Sequence, residues 1–159
     1  MDLATAMGIV RIRPEQPQDE PFRFALFCES RPDLALLPPP MRDNIQQMQF
    51  RAQAAGYRAQ FPQARWEIVE CAGEPIGRLV CDRSQGFLHL VDIALLARVR
   101  SGGVGSAILR ALTDEAAQAG VAVQLRVGHT NPAAGLYHRL GFVVTATNAT
   151  DATMEWRAG

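Results

Sequence analysis

Apolar and polar positions alternate with a period close to two in three runs near the middle of the chain: RWEIVEC (65–71), IGRLVCD (76–82) and FLHLVDIALL (87–96). The breaks between them, AGEP and RSQG, are rich in turn-forming residues, so the pattern predicts a three-stranded antiparallel meander. Before it, GIVRIR (8–13) reads as a short first strand ended by Pro14, and DEPFRFALFCES (19–30) as a first helix. RPDLALLPPP cannot continue that helix, because successive prolines remove donors and clash with the preceding turn. A second helix is predicted over MRDNIQQMQFRAQAAG (41–56), with Ile45, Met48, Ala52 and Ala55 as its apolar face and Gly56 as its stop.

After the meander, Val104, Ala107, Ile108, Ala111 and Leu112 trace one face of a helix ending at Gly120. VAVQLRV (121–127) alternates again and reads as a strand. NPAAGLYHRLGF (131–142) opens with Asn at an N-cap and Pro at the first helical position, and Gly141 closes it. FVVTAT and TMEWR supply two last strands around the turn NATD.

Composition narrows the function. The 159 residues are 48% hydrophobic and 20% charged, with 16 basic against 16 acidic residues. A balanced charge argues against a dedicated nucleic-acid binder, so anion recognition here is expected to be local. All the basic residues are arginine, which removes lysine Schiff bases and the P-loop lysine. Three scattered cysteines, Cys28, Cys71 and Cys81, have no metal-binding or redox spacing, so no metal is expected. With no signal-peptide pattern and no long apolar run, the expected home is the reducing cytoplasm.

The stretch Arg98-Val-Arg100-Ser101-Gly102-Gly103-Val104-Gly105-Ser106 puts a bare backbone flanked by arginines at the start of a helix. A helix N-terminus offers unpaired N–H groups and partial positive charge, so phosphate is the natural ligand; the bland alternative is a turn that needs glycine for its geometry alone. A P-loop is excluded by the missing lysine. A dinucleotide fingerprint fails because Ile108 stands where its third glycine belongs and the preceding strands form a meander.

Arg100-Ser101-Gly102-Gly103-Val104-Gly105 matches [Q/R]-x-x-G-x-[G/A], and Asn131-Pro-Ala-Ala134-Gly-Leu-Tyr137-His-Arg-Leu-Gly141-Phe142 runs N-x-x-A-x-L-Y-x-x-x-G-F, one position shorter before the leucine than N-x-x-A-x-x-L-Y-x-x-x-G-F. Both segments, and the order of elements around them, resemble the GNAT superfamily of acetyl-coenzyme A-dependent N-acetyltransferases. The resemblance is sharp over roughly 65–157 and topological before that. It implies one domain over 1–159, with 1–64 on the acceptor side and 65–159 on the coenzyme side. The fold it implies is mixed α/β, a mostly antiparallel central sheet flanked by about four helices, with strands splayed around the coenzyme.

In such enzymes the pantetheine arm pairs with the strand before the loop, here through backbone groups of Ile93 and Leu95. The pyrophosphate would sit on N–H groups of Ser101, Gly103, Gly105 and Ser106, within the Gly102–Val104 loop, with Arg98 or Arg100 adding charge. Asn131 and Ala134 fall at coenzyme-contacting positions, and Asn131 also reads as a plain N-cap. Tyr137 resembles the tyrosine that protonates the leaving thiolate, a task suited to a phenol of pKa ~10. Ala97 departs from the proline that relatives often carry before the arginine.

The resemblance implies direct attack by a neutral amine, and hence a base. His89 and Asp92 on the pre-loop strand are the candidates, and their three-residue separation predicts opposite faces. Glu67, Glu70 and His129 are weaker ones. The acceptor pocket implied for 29–53 and its neighbours is not an acidic trough, which disfavours polycationic acceptors and leaves small amines or a peptide N-terminus open. Two rival readings stand beside the enzyme: a non-catalytic acyl-coenzyme A sensor on the same fold, and a binder of another nucleotide. A homodimer is a further expectation, with Trp156 as either an interface anchor or core.

Overall fold

The computed structural model describes all 159 residues. Strands β1 (Asp2–Thr5) and β2 (Gly8–Pro14) precede helices α1 (Glu20–Ser30) and α2 (Pro39–Gln60). The meander follows as β3 (Arg65–Cys71), β4 (Glu74–Asp82) and β5 (Leu88–Leu95), and then α3 (Val104–Ala119), β6 (Val123–Gly128), α4 (Ala133–Arg139), β7 (Val143–Thr147) and β8 (Asp151–Trp156). One eight-stranded sheet runs β1-β2-β3-β4-β5-β6-β8-β7. Its pairs are antiparallel except β5 with β6. This is the mixed, mostly antiparallel sheet with four helices that the sequence leads one to expect. The β1–β2 hairpin is an addition: its first strand is too short to carry an alternation signal.

The two sheet faces have different partners. Leu79, Cys81, Leu88, Leu90, Val123 and Leu125 join Ile108, Leu112 and Ala116 of α3 in the main core. A small second core, Phe27, Leu34 and Phe50, sits between α1, α2 and their connection. α3 owes its position to its apolar stripe, and its ends are set by glycines at positive φ, Gly103 (81°) and Gly120 (70°).

α2 departs from expectation in three ways. It begins at Pro39, because Pro39 and Pro40 fill first-turn positions whose N–H groups have no intrahelical partner anyway. It runs through Gly56 to Gln60, because Tyr57 packs on Trp66 (centroids 6.2 Å apart) and Phe61 on His89 (4.7 Å). Burying Phe61 contributes roughly 1.5–3 kcal/mol, more than the roughly 1 kcal/mol that a mid-helix glycine costs. Finally, the buried face is Gln46 and Phe50, with Gln53 and Tyr57 half-buried, whereas Met48 is 61% exposed and Ala52 and Ala55 are exposed. Phe50 decides the rotation, since its ring meets Phe24 at 5.3 Å and Phe27 at 5.8 Å, and one large aromatic outweighs a stripe of small residues.

Candidate active site

β5 and β6 pair only from Leu88–Leu90 to Val123–Leu125, although β5 continues to Leu95 and β6 to Gly128. The strands therefore part, and the edge of Asp92–Leu95 is left without a strand partner on the β6 side. A cleft of about 740 Å³ occupies the gap. Its walls are the end of β5, the loop into α3, the start of α4, and α1 and α2 from the other face of the sheet.

The loop into α3 turns through a 3₁₀ segment (Ala97–Val99) and two positive φ angles, 67° at Ser101 and 81° at Gly103. Gly103 is the N-cap of α3 and no side chain caps the helix. None of the N–H groups of Ser101, Gly103, Gly105 and Ser106 donates to a backbone carbonyl. Four free donors on one concave backbone at the positive end of a 16-residue helix are what a bound pyrophosphate would complete. Gly102 has a different task. A Cβ there would fall 2.7 Å from Met7 Sδ, so the glycine lets the β1–β2 turn pack against the loop.

Asp92, Ile93, Leu95, Arg100, Ser101, Gly103, Gly105, Ser106, Asn131 and Tyr137 all line this cleft. Arg98, Gly102, Val104 and Ala134 do not. Arg98 turns out to Glu74 at 3.9 Å, and the Val104 side chain is buried in the core. Arg100 Nε donates to the Leu95 carbonyl at 3.3 Å, and Asn131 Oδ1 accepts from the Ala133 N–H at 2.9 Å while still facing the cleft. Ser30 of α1 and Gln53 of α2 line the cleft from the 29–53 stretch expected to wall the acceptor pocket, and lining residues that the sequence did not single out are Leu26 and Phe27 of α1, Arg78 of β4 and Arg139 of α4. They come from elements distant in sequence and carry no local motif.

The expectation that His89 and Asp92 point to opposite faces fails. A bulge pairs Leu90 with Cys81 and Asp92 with Val80, skipping Val91, so His89 (opposite Asp82) and Asp92 share the α2 side of the sheet. They are nevertheless separated along the strand. His89 lies between Phe61 and Phe87 in a second depression and does not line the cleft, whereas Asp92 does. Glu70 is held by Arg13 at 2.7 Å, and His129 Nε2 lies 2.6 Å from the Asn148 carbonyl oxygen.

Asp92 sets the electrostatics of the cleft. Arg78 Nε donates to its Oδ2 at 3.0 Å, Arg78 also reaches Gln53 at 3.3 Å, and its guanidinium lies 5.6 Å from the Trp66 ring centre. Oδ1 is left for another partner. Tyr137 is 6% exposed, and burial together with the charge of Asp92 pushes its phenol up to about 12. Tyr57 behaves alike, pushed up to about 12 by burial and Asp92, with Arg78 opposing. Both phenols are therefore neutral donors at pH 7.

Burial depresses the His89 pKa below 6.5, helped by Arg126 and opposed by Asp82. A depressed histidine pKa means that the unfolded chain binds more protons, so this stabilisation is complete above 6.5 and is lost as pH falls through the folded value. The melting temperature of the wild type should drop as pH falls below 6.5, and His89→Gln should flatten that drop.

The departure at Ala97 also has a structural counterpart. Its N–H donates to the Glu29 carboxylate, tying the end of α1 to the loop that opens α3. Leu96 (φ −55°, ψ 143°) would accept a following proline, so Ala97→Pro deletes the donor without straining the chain. Glu29→Leu and Ala97→Pro should each weaken coenzyme binding by about two- to tenfold, with no further loss in the double variant, whereas Glu29→Gln keeps the acceptor oxygen and the affinity.

Comparison with known proteins agrees with this geometry. No curated protein matches the chain in sequence. Among solved structures, the PaiA N-acetyltransferase from Thermoplasma acidophilum, in complex with coenzyme A, is similar with a TM-score of 0.69 at 16% identity, over 94% of this chain and 99% of that one. An acetyltransferase from Thermus thermophilus is similar with a TM-score of 0.68 at 19% identity, over 99% of this chain and 100% of that one. At such identities the likeness shows the fold. The sequence profile of the acetyltransferase (GNAT) family matches residues 25–142, which span both the α1–α2 wall and the glycine loop, and the chain belongs to that family.

Proposed function

We propose that this chain transfers an acetyl group from acetyl-coenzyme A to a primary amine, with Asp92 and Tyr137 as the proton-handling pair. The observation that carries the proposal is that Asp92, Tyr137 and the uncapped start of α3 all line one cleft. The free N–H groups of Ser101, Gly103, Gly105 and Ser106 hold the pyrophosphate, Arg100 and Arg139 add charge beside it, and the unpaired edge of Ile93–Leu95 receives the pantetheine amides. Bound there, the coenzyme supplies the acyl group as an activated thioester.

An ammonium has no lone pair, so the acceptor must first lose a proton. Asp92 Oδ1 takes it, while Arg78 holds Oδ2 and fixes the carboxylate. As the amine nitrogen bonds to the acyl carbon and the carbon–sulfur bond breaks, the Tyr137 phenol donates to the departing sulfur. The amine's second proton restores that phenol. The balance is one amide, one thiol and one proton released to solvent. The charge of the cleft fits a monoamine: Asp92 is its only carboxylate, already paired with Arg78. The test is continuous detection of free thiol from acetyl-coenzyme A with primary amines. Amine-dependent release supports the reading, and coenzyme binding with no release for any amine favours the sensor instead.

A further inference from the structure

The second depression has a volume of about 540 Å³ and shares no lining residue with the cleft. It lies at the C-terminal end of α2, where Phe61 just after α2, His89 of β5 and Phe87 of the β4–β5 turn form a row of rings. Phe61 meets His89 edge-on, with centroids 4.7 Å apart and planes at 65°, and Phe87 lies 6.0 Å from His89 at 33°. Phe87 and His89 are only half-buried, so the row presents open ring surface. The rim carries one cation and one anion, Arg126 and Asp151, and otherwise amides, so the slot has no net charge to attract a polycation.

This slot adjoins the cleft. Val91, the bulged residue, lines the slot, and its neighbour Asp92 lines the cleft. Tyr57 lines the slot, and Gln53, one turn earlier on α2, lines the cleft. Tyr57 is also close enough to Asp92 to feel its charge. The slot and the cleft share no lining residue, and the two neighbouring pairs, Val91 with Asp92 and Tyr57 with Gln53, form the boundary between them.

We infer that the slot receives the body of the acceptor and selects a primary amine carried on a flat aromatic group by a short, flexible tether. The inference rests on the acetyltransferase reading above and names its substrate class. A flat ring fits beside Phe61, His89 and Phe87 in the offset or edge-on arrangements that aromatic side chains prefer, and the tether spans from the slot to Asp92 Oδ1. An aliphatic amine of equal length reaches Asp92 but leaves the rings uncovered. A polyamine adds cations that neither site neutralises.

The probes are 2-phenylethylamine, n-butylamine and spermidine. The wild type should prefer 2-phenylethylamine over n-butylamine by at least about tenfold in kcat/KM, with spermidine poorest. In Phe87→Ala that preference should collapse toward unity while coenzyme A affinity stays within about twofold. Phe87→Leu, which keeps apolar volume and removes only the ring, is the second variant in case the first folds poorly. Independently of turnover, 2-phenylethylamine should shift the imidazole resonances of His89, and n-butylamine should not. A wild type without aromatic preference, a preference untouched in both variants, or an unmoved His89 overturns the inference. A wild type that binds no coenzyme A but shows the His89 shift overturns the acetyltransferase reading and leaves the slot standing.

Discussion

Tyr137→Phe should lower kcat by about 10²- to 10³-fold while changing the Kd for coenzyme A by less than about threefold. The phenol is buried beside Asp92 and kept neutral by both burial and that charge, so at pH 7 it is fully available as a donor. A departing thiolate needs that proton, and phenylalanine fills the same space without it. The ring packs 5.7 Å from Phe142 within the main core, a contact the substitution keeps, so the fold should survive. Measuring kcat and Kd on one preparation separates the two readings of the chain. An enzyme loses turnover and keeps affinity, whereas a sensor has no turnover to lose. Unchanged kcat in a variant that still turns over would remove Tyr137 from the proton path.

Asp92→Asn should be nearly as damaging, lowering kcat/KM about 10²-fold, with the greatest loss below neutral pH, where less of the amine is already deprotonated. Asparagine retains an acceptor for Arg78 but neither attracts an ammonium nor takes its proton. Because the Arg78 side chain is only 6% exposed, loss of its anionic partner should also cost about 2 kcal/mol of stability, read as a lower urea midpoint. His89→Gln should leave kcat and the Arg78 pair untouched and act only through acceptor affinity, since His89 lies outside the cleft and in the aromatic slot. Activity recovered at high pH in Asp92→Asn, where the free amine dominates, would identify the lost function as proton removal.

How much of this was legible beforehand follows from the range of the interactions. The meander, α3 and its glycine loop are written locally, in alternation, turn residues and positive-φ positions, and the structure has each of them. The rotation of α2 was not legible, because it depends on Phe50 finding Phe24 and Phe27, a choice made by another helix. The strand bulge at Val91 was equally hidden: alternation counted along one strand cannot register a residue that its neighbour skips. That single residue is why His89 and Asp92 share a face. Most of the glycine-loop wall of the cleft comes from two motif-bearing stretches, 92–106 and 131–139, although Arg98, Gly102, Val104 and Ala134 within them do not line it. The opposite wall, Leu26, Phe27, Ser30, Gln53 and Arg78, is assembled across the sheet from three elements, and only Ser30 and Gln53 fall in the 29–53 stretch that the sequence marks.

The central claim is that the start of α3 is a phosphate cradle, and calorimetric titration with acetyl-coenzyme A tests it on three proteins: the wild type, Gly103→Asn and Gly103→Asp. A side chain at Gly103 meets nothing within 4 Å, and its positive φ strains both variants alike, so only the added charge distinguishes them. The account predicts micromolar binding by the wild type, weakened binding by Gly103→Asn, and none by Gly103→Asp. A wild type that does not bind, or two variants that bind equally well, would contradict it.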